Sequence, residues 1–232
     1  MTTVLSLGGS IVAPEGPDPV FLKAFRSLVD RHLAVDPARR LILVVGGGGP
    51  ARSWQKAFRE AARPEDAADD SAQDWIGIMA TRLNAELVRA LMGALAPQDV
   101  VTDPTAVDLF MGRVLVAAGW KPGWSTDYDA VLLAEKFGAG EVVNLSNIEK
   151  VYTDDPRKNP AAKPIDAISW GDFKKLVGEE WKPGANAPFD PVATRRAAEL
   201  GLRVVCAAGR NLDNLEALLE GKPFVGTTIG PN

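Results

Sequence analysis

The pattern of apolar residues along this chain predicts buried strands that alternate with amphipathic helices. Short apolar runs that stop at glycines or polar residues are typical of strands in a parallel sheet, and the stretches between them carry apolar residues at helical spacing. Strands are predicted at 4–7, 41–45, 113–119, 141–146, 202–207 and 224–229, with a loop or hairpin at 147–164 and an irregular segment at 178–188. Helices are predicted at about 20–33, 50–61, 75–96, 127–137, 170–177, 190–200 and 211–219, and Asp103 with Pro104 is expected to open a further short helix.

This alternation predicts a single α/β domain over residues 1–232. Helices between successive strands imply right-handed crossovers, so the sheet is expected to be mainly parallel and covered by helices on both faces. A chain of this length can bury a sizeable core. Ligands bind such sheets beyond the carboxyl ends of the strands, and this chain has its unusual loops there. Those loops span 8–10, 46–52, 120–126 and 146–155.

The charge and the amino-acid composition exclude several classes of partner and site. A net charge of −4 gives no basic field that would attract nucleic acid or an anionic membrane surface. One cysteine and one histidine cannot make a disulfide framework or a Cys/His metal cluster. The chain has no apolar run of membrane-spanning length and its start lacks the features of a signal peptide, so a cytoplasmic protein is expected.

Five individual residues have an expected place in the packing. Cys206 lies in an apolar run and is expected to be a buried small hydrophobe. His32 is expected near the end of a helix, either interacting with the helix dipole or simply at the surface. Trp54, Trp75 and Trp170 lie on helical faces and are expected to be packing residues.

The glycine stretch 46–49 is the first candidate for a binding site. Glycines let the backbone approach an anion, and the N–H groups that open the next helix would point at it. A shorter copy, Gly8-Gly9-Ser10, follows the first strand. Neither the P-loop pattern nor the Rossmann glycine spacing is present, so each turn alone is either a phosphate site or a plain tight turn. Two such turns suggest two phosphate-bearing ligands, or one ligand held from both sides.

A set of short segments spreads over nearly the whole chain: 8-GGS-10, 45-VGGGGPAR-52, 74-DWIGIMATRLNA-85, 122-PGWSTD-127 with 130-AVLLAE-135, 147-NIEKVYTDDP-156, 190-DPVA-193 and 226-GTTI-229. Together they resemble the amino-acid-kinase superfamily and, within it, the archaeal-type uridylate kinases. The resemblance implies a three-layer α/β/α sandwich around a mainly parallel central sheet. About 1–140 would form an acceptor-binding lobe and about 141–232 an ATP-binding lobe. It also implies Mg²⁺-dependent transfer of the γ-phosphoryl group of ATP to UMP in pyrimidine nucleotide synthesis, by a homo-oligomer that is usually a hexamer.

The resemblance also assigns residues to the two nucleotides. For ATP they are Gly9, Ser10, Gly48, Arg52, Ser146, Asn147, Tyr152 and Asp155. For UMP they are Gly47, Asp74, Trp120, Lys121, Pro122, Gly123, Trp124, Ser125 and Thr126. Mg²⁺ would be held through the ATP phosphates, without a protein side chain as ligand. Phosphoryl transfer needs positioning and charge neutralisation more than covalent chemistry, so Arg52, Ser10 and Lys121 are the catalytic candidates. Arg52 would present its planar fork to phosphate oxygens.

Purely structural roles compete with several of these assignments. Asp74 either caps the long helix or contacts the acceptor ribose, and both roles are compatible. Thr126 and Asp127 either cap the next helix or open a helix whose N–H groups meet an acceptor phosphate. Asp190 precedes a proline in the pattern of a helix cap and needs no chemistry. Tyr152 either contacts ATP or only anchors a hairpin.

The sequence departs from the superfamily pattern in three places. Ser6 stands where many members have a first-strand lysine that reaches the transferring phosphate. Trp120, Lys121 and Trp124 replace small polar residues and histidines; Lys121 is a candidate cation for phosphates, and the indoles either stack on a base or close off the site. Lys150 replaces a glycine and either approaches a phosphate or projects into solvent. Two alternatives follow: a kinase of the same fold for another phosphate or carboxylate acceptor, or a non-catalytic protein that binds a nucleotide or oxyanion.

Overall fold

The structure, a computed structural model, describes residues 1–156, 158–178 and 187–230. Most of the segment 178–188, predicted to be irregular, lies outside the described residues. The strands are β1 (Thr2–Leu7), β2 (Arg40–Val45), β3 (Val114–Ala117), β4 (Glu141–Ser146), β5 (Val151–Tyr152), β6 (Pro164–Ile165), β7 (Ala167–Ser169), β8 (Arg203–Ala208) and β9 (Thr227–Gly230). The helices are α1 (Gly9–Val12), α2 (Pro19–Val35), α3 (Gly48–Ala61), α4 (Asp70–Met92), α5 (Thr126–Lys136), α6 (Trp170–Val177), α7 (Pro191–Glu199) and α8 (Leu212–Leu219).

The central sheet has its topological switch point between β1 and β4. Its strand order is β3-β2-β1-β4-β8-β9-β7, and adjacent strands pair in parallel except β8 with β9. From β1 the chain builds outward on one side through β2 and β3 and then crosses to β4 on the other side. Leu7 pairs with Val45 and with Leu145, so the loops after three strands emerge side by side. Ligands bind open α/β sheets at such a point.

Helices cover both faces of the sheet, which confirms the predicted three-layer α/β/α architecture. Because successive side chains of a strand point to opposite faces, Leu5 and Leu7 join one apolar cluster and Val4 joins the other. Residues of α1, α2, α4 and α8 complete the first cluster, and residues of α5, α6 and α7 complete the second. None of the helices in the described ranges is long and apolar enough to cross a membrane.

Two predicted features outside the main sheet are confirmed by the local hydrogen bonds. Asp190 caps α7, since its Oδ1 accepts the N–H groups of Val192 and Ala193, both at 2.8 Å. The segment after β4 is a hairpin in which β5 pairs with β6 in antiparallel orientation. Val151 anchors it, because its N–H donates to the Thr227 hydroxyl at 2.8 Å.

Three predicted helix starts are wrong. The long helix α4 begins at Asp70, and Asp69 caps it by accepting the Ala72 N–H at 3.0 Å; Asp74 lies inside the helix and is not its cap. Ser125, not Thr126 or Asp127, caps α5. No helix starts at Asp103, because its carboxylate accepts the N–H and the hydroxyl of Thr105 and closes a turn instead.

The structure confirms some of the predictions about packing residues and shows that others are wrong. Cys206 is fully buried, and burial raises the pKa of its thiol far above the usual range. Trp170 is buried as expected, but Trp54 and Trp75 are 69% and 42% exposed, so the prediction that these two are packing residues is wrong. His32 is only 5% exposed, so a surface role is also wrong. Burial, aided by the nearby charge of Arg39, lowers the pKa of His32.

Candidate active site

The two glycine turns pack directly against each other at the switch point. A side-chain carbon on Gly9 would lie 1.9 Å from the backbone nitrogen of Gly48, and one on Gly46 would lie 2.5 Å from the nitrogen of Gly9. Gly48 also has a φ of 64°, which a residue with a side chain adopts at a cost. These contacts explain why both turns need glycine. We call the joined backbone surface, residues 8–10 and 46–49, the glycine cradle.

The glycine cradle has backbone N–H groups available for an anion. The Gly8 and Gly46 amides are already used, by the carbonyls of Leu145 at 2.8 Å and Leu7 at 2.9 Å. Within the described parts of the chain, the amides that open α1 and α3 make no hydrogen bond; they belong to Gly9, Ser10, Gly47 and Gly48. Helix N-termini with free amides carry partial positive charge and are suited to phosphate oxygens.

Arg52 reaches from one glycine turn toward the other. It is the fifth residue of α3, and its Nη2 donates to the carbonyl oxygen of Pro14 at 3.0 Å. Pro14 follows α1, so the Arg52 side chain connects the two chain segments that form the glycine cradle. The side chain is exposed, which leaves the rest of its guanidinium accessible to a ligand.

The end of β4 lies beside the first glycine turn. The bond from Gly8 to Leu145 fixes this contact, and the carbonyl of Ser146 accepts the N–H of Gly209 at 2.8 Å. Asn147 follows at once and is exposed. Ser146 and Asn147 therefore lie between the glycine cradle and the end of β8, where a ligand at the switch point can reach them.

The hairpin carries the remaining residues that the sequence assigned to ATP. Tyr152 lies in β5. Asp155 begins the turn that follows, and its backbone carbonyl oxygen accepts the N–H groups of Lys158 and Asn159 at 2.9 and 2.8 Å. Lys150, just before β5, forms an ion pair with Asp166. Its ammonium is therefore engaged on the protein, a partner that the sequence did not reveal.

Helix α4 fixes both the glycine cradle and the loop after β3. The Asn84 amide donates to the carbonyls of Gly46 and Gly47 at 2.9 and 3.0 Å. Thr81 accepts the N–H of Gly119 at 2.8 Å. Sequence reasoning missed Asn84 and Thr81. Their spacing of three residues was a signal in the sequence, because it places the two polar side chains on one face of a helix, and the structure shows that both are buried.

Asp74 lies on the same helix and holds the loop after β3. Its Oδ2 accepts the N–H of Gly123 at 2.8 Å. We call residues 119–126 the tryptophan loop. Asp74 thus has a positioning contact with this loop in place of the capping role that the sequence allowed.

An aromatic cluster with one cation forms the body of the tryptophan loop. Trp124 stacks on Tyr128 with ring centroids 4.3 Å apart and lies 6.0 Å from Trp120. The Lys121 ammonium lies 3.8 Å from the Trp120 ring centroid and 5.8 Å from that of Trp124. This is a cation–π arrangement, so the loop combines an aromatic surface with a positive charge. Pro122 follows Lys121, and Ser125 and Thr126 lead into α5.

Two acids lie where α5 and α7 meet β1, of which Asp190 is buried and Asp127 is half-buried. The Ser6 hydroxyl donates to Asp127 at 3.1 Å, and the Asp190 N–H donates to the same carboxylate at 3.3 Å. Burial, with the negative charge of Asp190, raises the pKa of Asp127 to about 6. Burial also raises the pKa of Asp190. Ser6 therefore serves the Asp127 carboxylate as a neutral donor.

Sequence comparison identifies relatives along the whole chain. The amino acid kinase family model matches residues 1–208. A uridylate kinase of Methanospirillum hungatei is 37% identical over 234 residues, covering 100% of this chain and 95% of that protein. A uridylate kinase of Pyrococcus abyssi is 33% identical over 234 residues and covers 100% of both chains.

Structural comparison agrees with the sequence. The crystal structure of uridylate kinase from Archaeoglobus fulgidus matches with a TM-score of 0.83 and 30% identity, over 99% of this chain and 100% of that one. UMP kinase from Bacillus anthracis has a TM-score of 0.78 at 17% identity, over 100% of this chain and 96% of that one, and shows the shared fold. The chain therefore belongs to the amino acid kinase family, within which it resembles the uridylate kinases of archaea.

Proposed function

We infer that this protein is a UMP kinase, an ATP-dependent phosphotransferase that forms ADP and UDP from ATP and UMP. In the reaction a phosphate oxygen of UMP attacks the γ-phosphorus of ATP, and the bond from that phosphorus to the β,γ-bridging oxygen breaks. The structural observation that carries the inference is the glycine cradle at the switch point, with the end of β4 on one side and the tryptophan loop linked to it through α4. The full-length likeness to uridylate kinases supports the same acceptor.

For the donor side we propose that the glycine cradle and Arg52 hold the phosphates of ATP. The residues proposed for ATP are Gly9, Ser10, Gly48, Arg52, Ser146, Asn147, Tyr152 and Asp155. The free amides of the cradle and the guanidinium of Arg52 supply N–H donors that suit phosphate oxygens and cannot ligate a metal ion. Mg²⁺ would accordingly be held by the ATP phosphates, where it neutralises charge that develops on the β- and γ-oxygens.

For the acceptor side we propose that UMP binds at the tryptophan loop. The residues proposed are Gly47, Asp74, Trp120, Lys121, Pro122, Gly123, Trp124, Ser125 and Thr126. The aromatic cluster offers a face on which a base can stack, and Lys121 adds a positive charge beside it. Residues of about 1–140 would then bind the acceptor and those of about 141–232 the adenosine part of ATP, with the glycine cradle serving both nucleotides.

The expected result with purified protein, ATP and Mg²⁺ is release of ADP that depends on UMP, at about 1–100 turnovers per second, as is typical of kinases. A coupled ADP assay with a panel of nucleoside monophosphates and small carboxylates checks it. ADP release with another acceptor but not with UMP would show that this other compound, and not UMP, is the substrate. Calorimetric binding of ATP without turnover on any acceptor would instead identify a non-catalytic nucleotide-binding protein, the alternative that Ser6 suggests.

We also propose that the protein acts as a homo-oligomer, a hexamer by resemblance to its family, in the cytoplasm, where both nucleotides are available. An exposed apolar stripe along α4 supports association between copies. Trp75, Met79 and Leu83 are 42%, 57% and 71% exposed and recur every four residues, so they share one helix face. A contiguous exposed apolar surface of this kind is typical of a protein interface.

Replacing Leu83 with glutamate is expected to reduce self-association at least tenfold, because a charge buried without a partner in an interface costs about 2–5 kcal/mol. Light scattering coupled to size-exclusion chromatography measures the mass over a range of concentrations. Leu109→Glu is the matched control, since Leu109 is also exposed, at 67%, but does not lie on α4. An unchanged mass for Leu83→Glu would exclude this stripe from the interface.

A further inference from the structure

Asp129, the fourth residue of α5, is a buried acid in contact with the tryptophan loop. It is 0% exposed, and its Oδ2 accepts the backbone N–H of Trp120 at 3.2 Å. Among the buried side-chain atoms of the described residues, its Oδ1 has no hydrogen-bond partner. An ionised carboxylate in such surroundings is costly, and the bond to Trp120 partly offsets this cost. The charge of Asp129 is therefore coupled to the position of the Trp120 backbone.

Trp120 is the point at which this coupling can act on a ligand. Its carbonyl oxygen accepts a hydrogen bond from Arg82 Nη2 at 3.0 Å, so Asp129 and Arg82 hold the residue from its two backbone ends. The Trp120 ring in turn supports the Lys121 ammonium. A shift of the Trp120 backbone would move both the indole and the cation of the tryptophan loop.

We propose that Asp129 is a positioning residue for the acceptor nucleotide: its ionised carboxylate fixes Trp120, and its protonation loosens the tryptophan loop so that the acceptor binds less tightly as the pH falls. The effect on UMP rests on the proposed function. The response of Trp120 to Asp129 does not, because it follows from the contact between them.

The titration of Asp129 falls in a suitable pH range. Burial raises the pKa of Asp129 to about 7; the Trp120 N–H opposes this rise, and the negative charges of Asp127 and Asp103 add to it. The Thr105 hydroxyl lowers the pKa of Asp103, which stays ionised throughout this range. Asp127, with a pKa of about 6, is mainly ionised at pH 7 and loses charge only at the lower end of this range, in the wild type and in the variants used below.

Two cations also face Trp120. Arg82 faces Trp120 from α4, and Lys121 lies on its ring. The Trp120 N–H makes a stronger hydrogen bond to the ionised Asp129 carboxylate than to the protonated one. This stronger bond is gained as the pH rises through about 7 and lost as it falls.

Steady-state kinetics at pH 6 and pH 8 test the proposal. The ionised fraction of a group with a pKa of about 7 falls about tenfold between these values, so the KM for UMP is expected to rise by up to about tenfold. Asp129→Asn keeps the shape and an oxygen that can accept the Trp120 N–H, but it has no charge to lose. This variant is expected to flatten the KM profile, whereas Asp213→Asn, an exposed acid on α8, is expected to keep it. The UMP phosphate itself titrates near pH 6, and it affects all three proteins equally.

A readout without turnover separates this proposal from the proposed function. The tryptophan fluorescence of the ligand-free protein is expected to titrate with a midpoint near pH 7 in the wild type and in Asp213→Asn, with a smaller amplitude in Trp120→Phe, which keeps the backbone N–H but loses one indole, and not in Asp129→Asn. A wild-type signal that is flat from pH 6 to 8 overturns the proposal, even if Asp129→Asn does not fold. The same pH dependence of KM in Asp129→Asn also overturns it. A midpoint that depends on Asp129 in a protein that does not phosphorylate UMP would support the coupling to Trp120 and contradict the UMP kinase function alone.

Discussion

Replacing Arg52 with alanine is expected to lower kcat/KM for UMP phosphorylation about 100- to 1000-fold. A guanidinium directed at charge that develops in the transition state is worth about 3–4 kcal/mol. Arg52 lies at the glycine cradle, where its Nη2 bonds to the Pro14 carbonyl and its other N–H groups can reach a phosphate. The coupled ADP assay measures the loss. Arg52→Lys keeps the charge without the planar fork, so its kcat/KM should lie between those of the wild type and Arg52→Ala.

The controls for Arg52 separate chemistry from folding and ATP from UMP. Arg59→Ala removes an exposed arginine from the last turn of the same helix, where its guanidinium bonds to Gln73, and should leave kcat/KM within about twofold, because it lies away from the cradle. Calorimetry then assigns the nucleotide. Weaker ATP binding with unchanged UMP binding places Arg52 on the donor side, and the reverse result moves it to the acceptor side. Activity of Arg52→Ala within threefold of wild type would exclude Arg52 from catalysis.

Replacing Gly9 with alanine is expected to destabilise the protein and to abolish ATP binding. The added carbon would lie 1.9 Å from the Gly48 nitrogen and 2.6 Å from its α-carbon, and both are backbone atoms that cannot rotate away. Overpacking of this kind costs about 1–3 kcal/mol or more, which corresponds to a fall in Tm of roughly 3–10 °C for a chain of this size. Separation of the two turns would also disperse the amides of the glycine cradle. Thermal denaturation and ATP calorimetry measure the two effects.

Gly16→Ala is the matched control for Gly9→Ala. Gly16 lies in the loop that follows α1, and a side-chain carbon there would meet nothing within 4 Å. The Gly16→Ala variant should bind ATP as tightly as the wild type, and its Tm should stay within about 2 °C of the wild-type value. If Gly9→Ala also behaved like wild type, the close packing of the two turns could not be the reason for the glycines. If it lost stability but bound ATP normally, the cradle would not be the phosphate site.

Much of the fold could be predicted from local sequence. The strands that became β2, β4 and β8 are apolar runs buried on both faces, so burial alone identifies them. The start of helix α7 can be predicted equally well, because Asp190 followed by Pro191 is typical of a helix cap and the first helical residue. Strand β7 could not be predicted in this way, since its three residues form a strand only because β9 offers them a pairing edge.

The start of α4 shows how equivalent local signals are resolved by packing. The connector before it contains several aspartates, and Asp69 and Asp74 are equally good caps by residue type. The helix begins at Asp70, which leaves Asp74 one turn inside and beside Gly123. The prediction for Trp54 and Trp75 is wrong for a related reason. Helical spacing groups residues on one face, but it does not say whether that face meets the sheet, another helix or solvent.

The α/β class and the two glycine turns follow from short-range patterns of burial and backbone freedom along the chain, and the family resemblance follows from the short segments themselves. Only in the folded chain do the two turns touch and does Asn84 bond the carbonyls of Gly46 and Gly47 in the second turn. Folding also places Lys121 on an indole and the Trp120 amide against Asp129. Each of these contacts joins residues brought together by the crossovers of the sheet or by the closure of a loop. The glycines in the sequence indicate that the backbone approaches another group closely at each turn. The fold shows that this group is, first of all, the backbone of the other glycine turn.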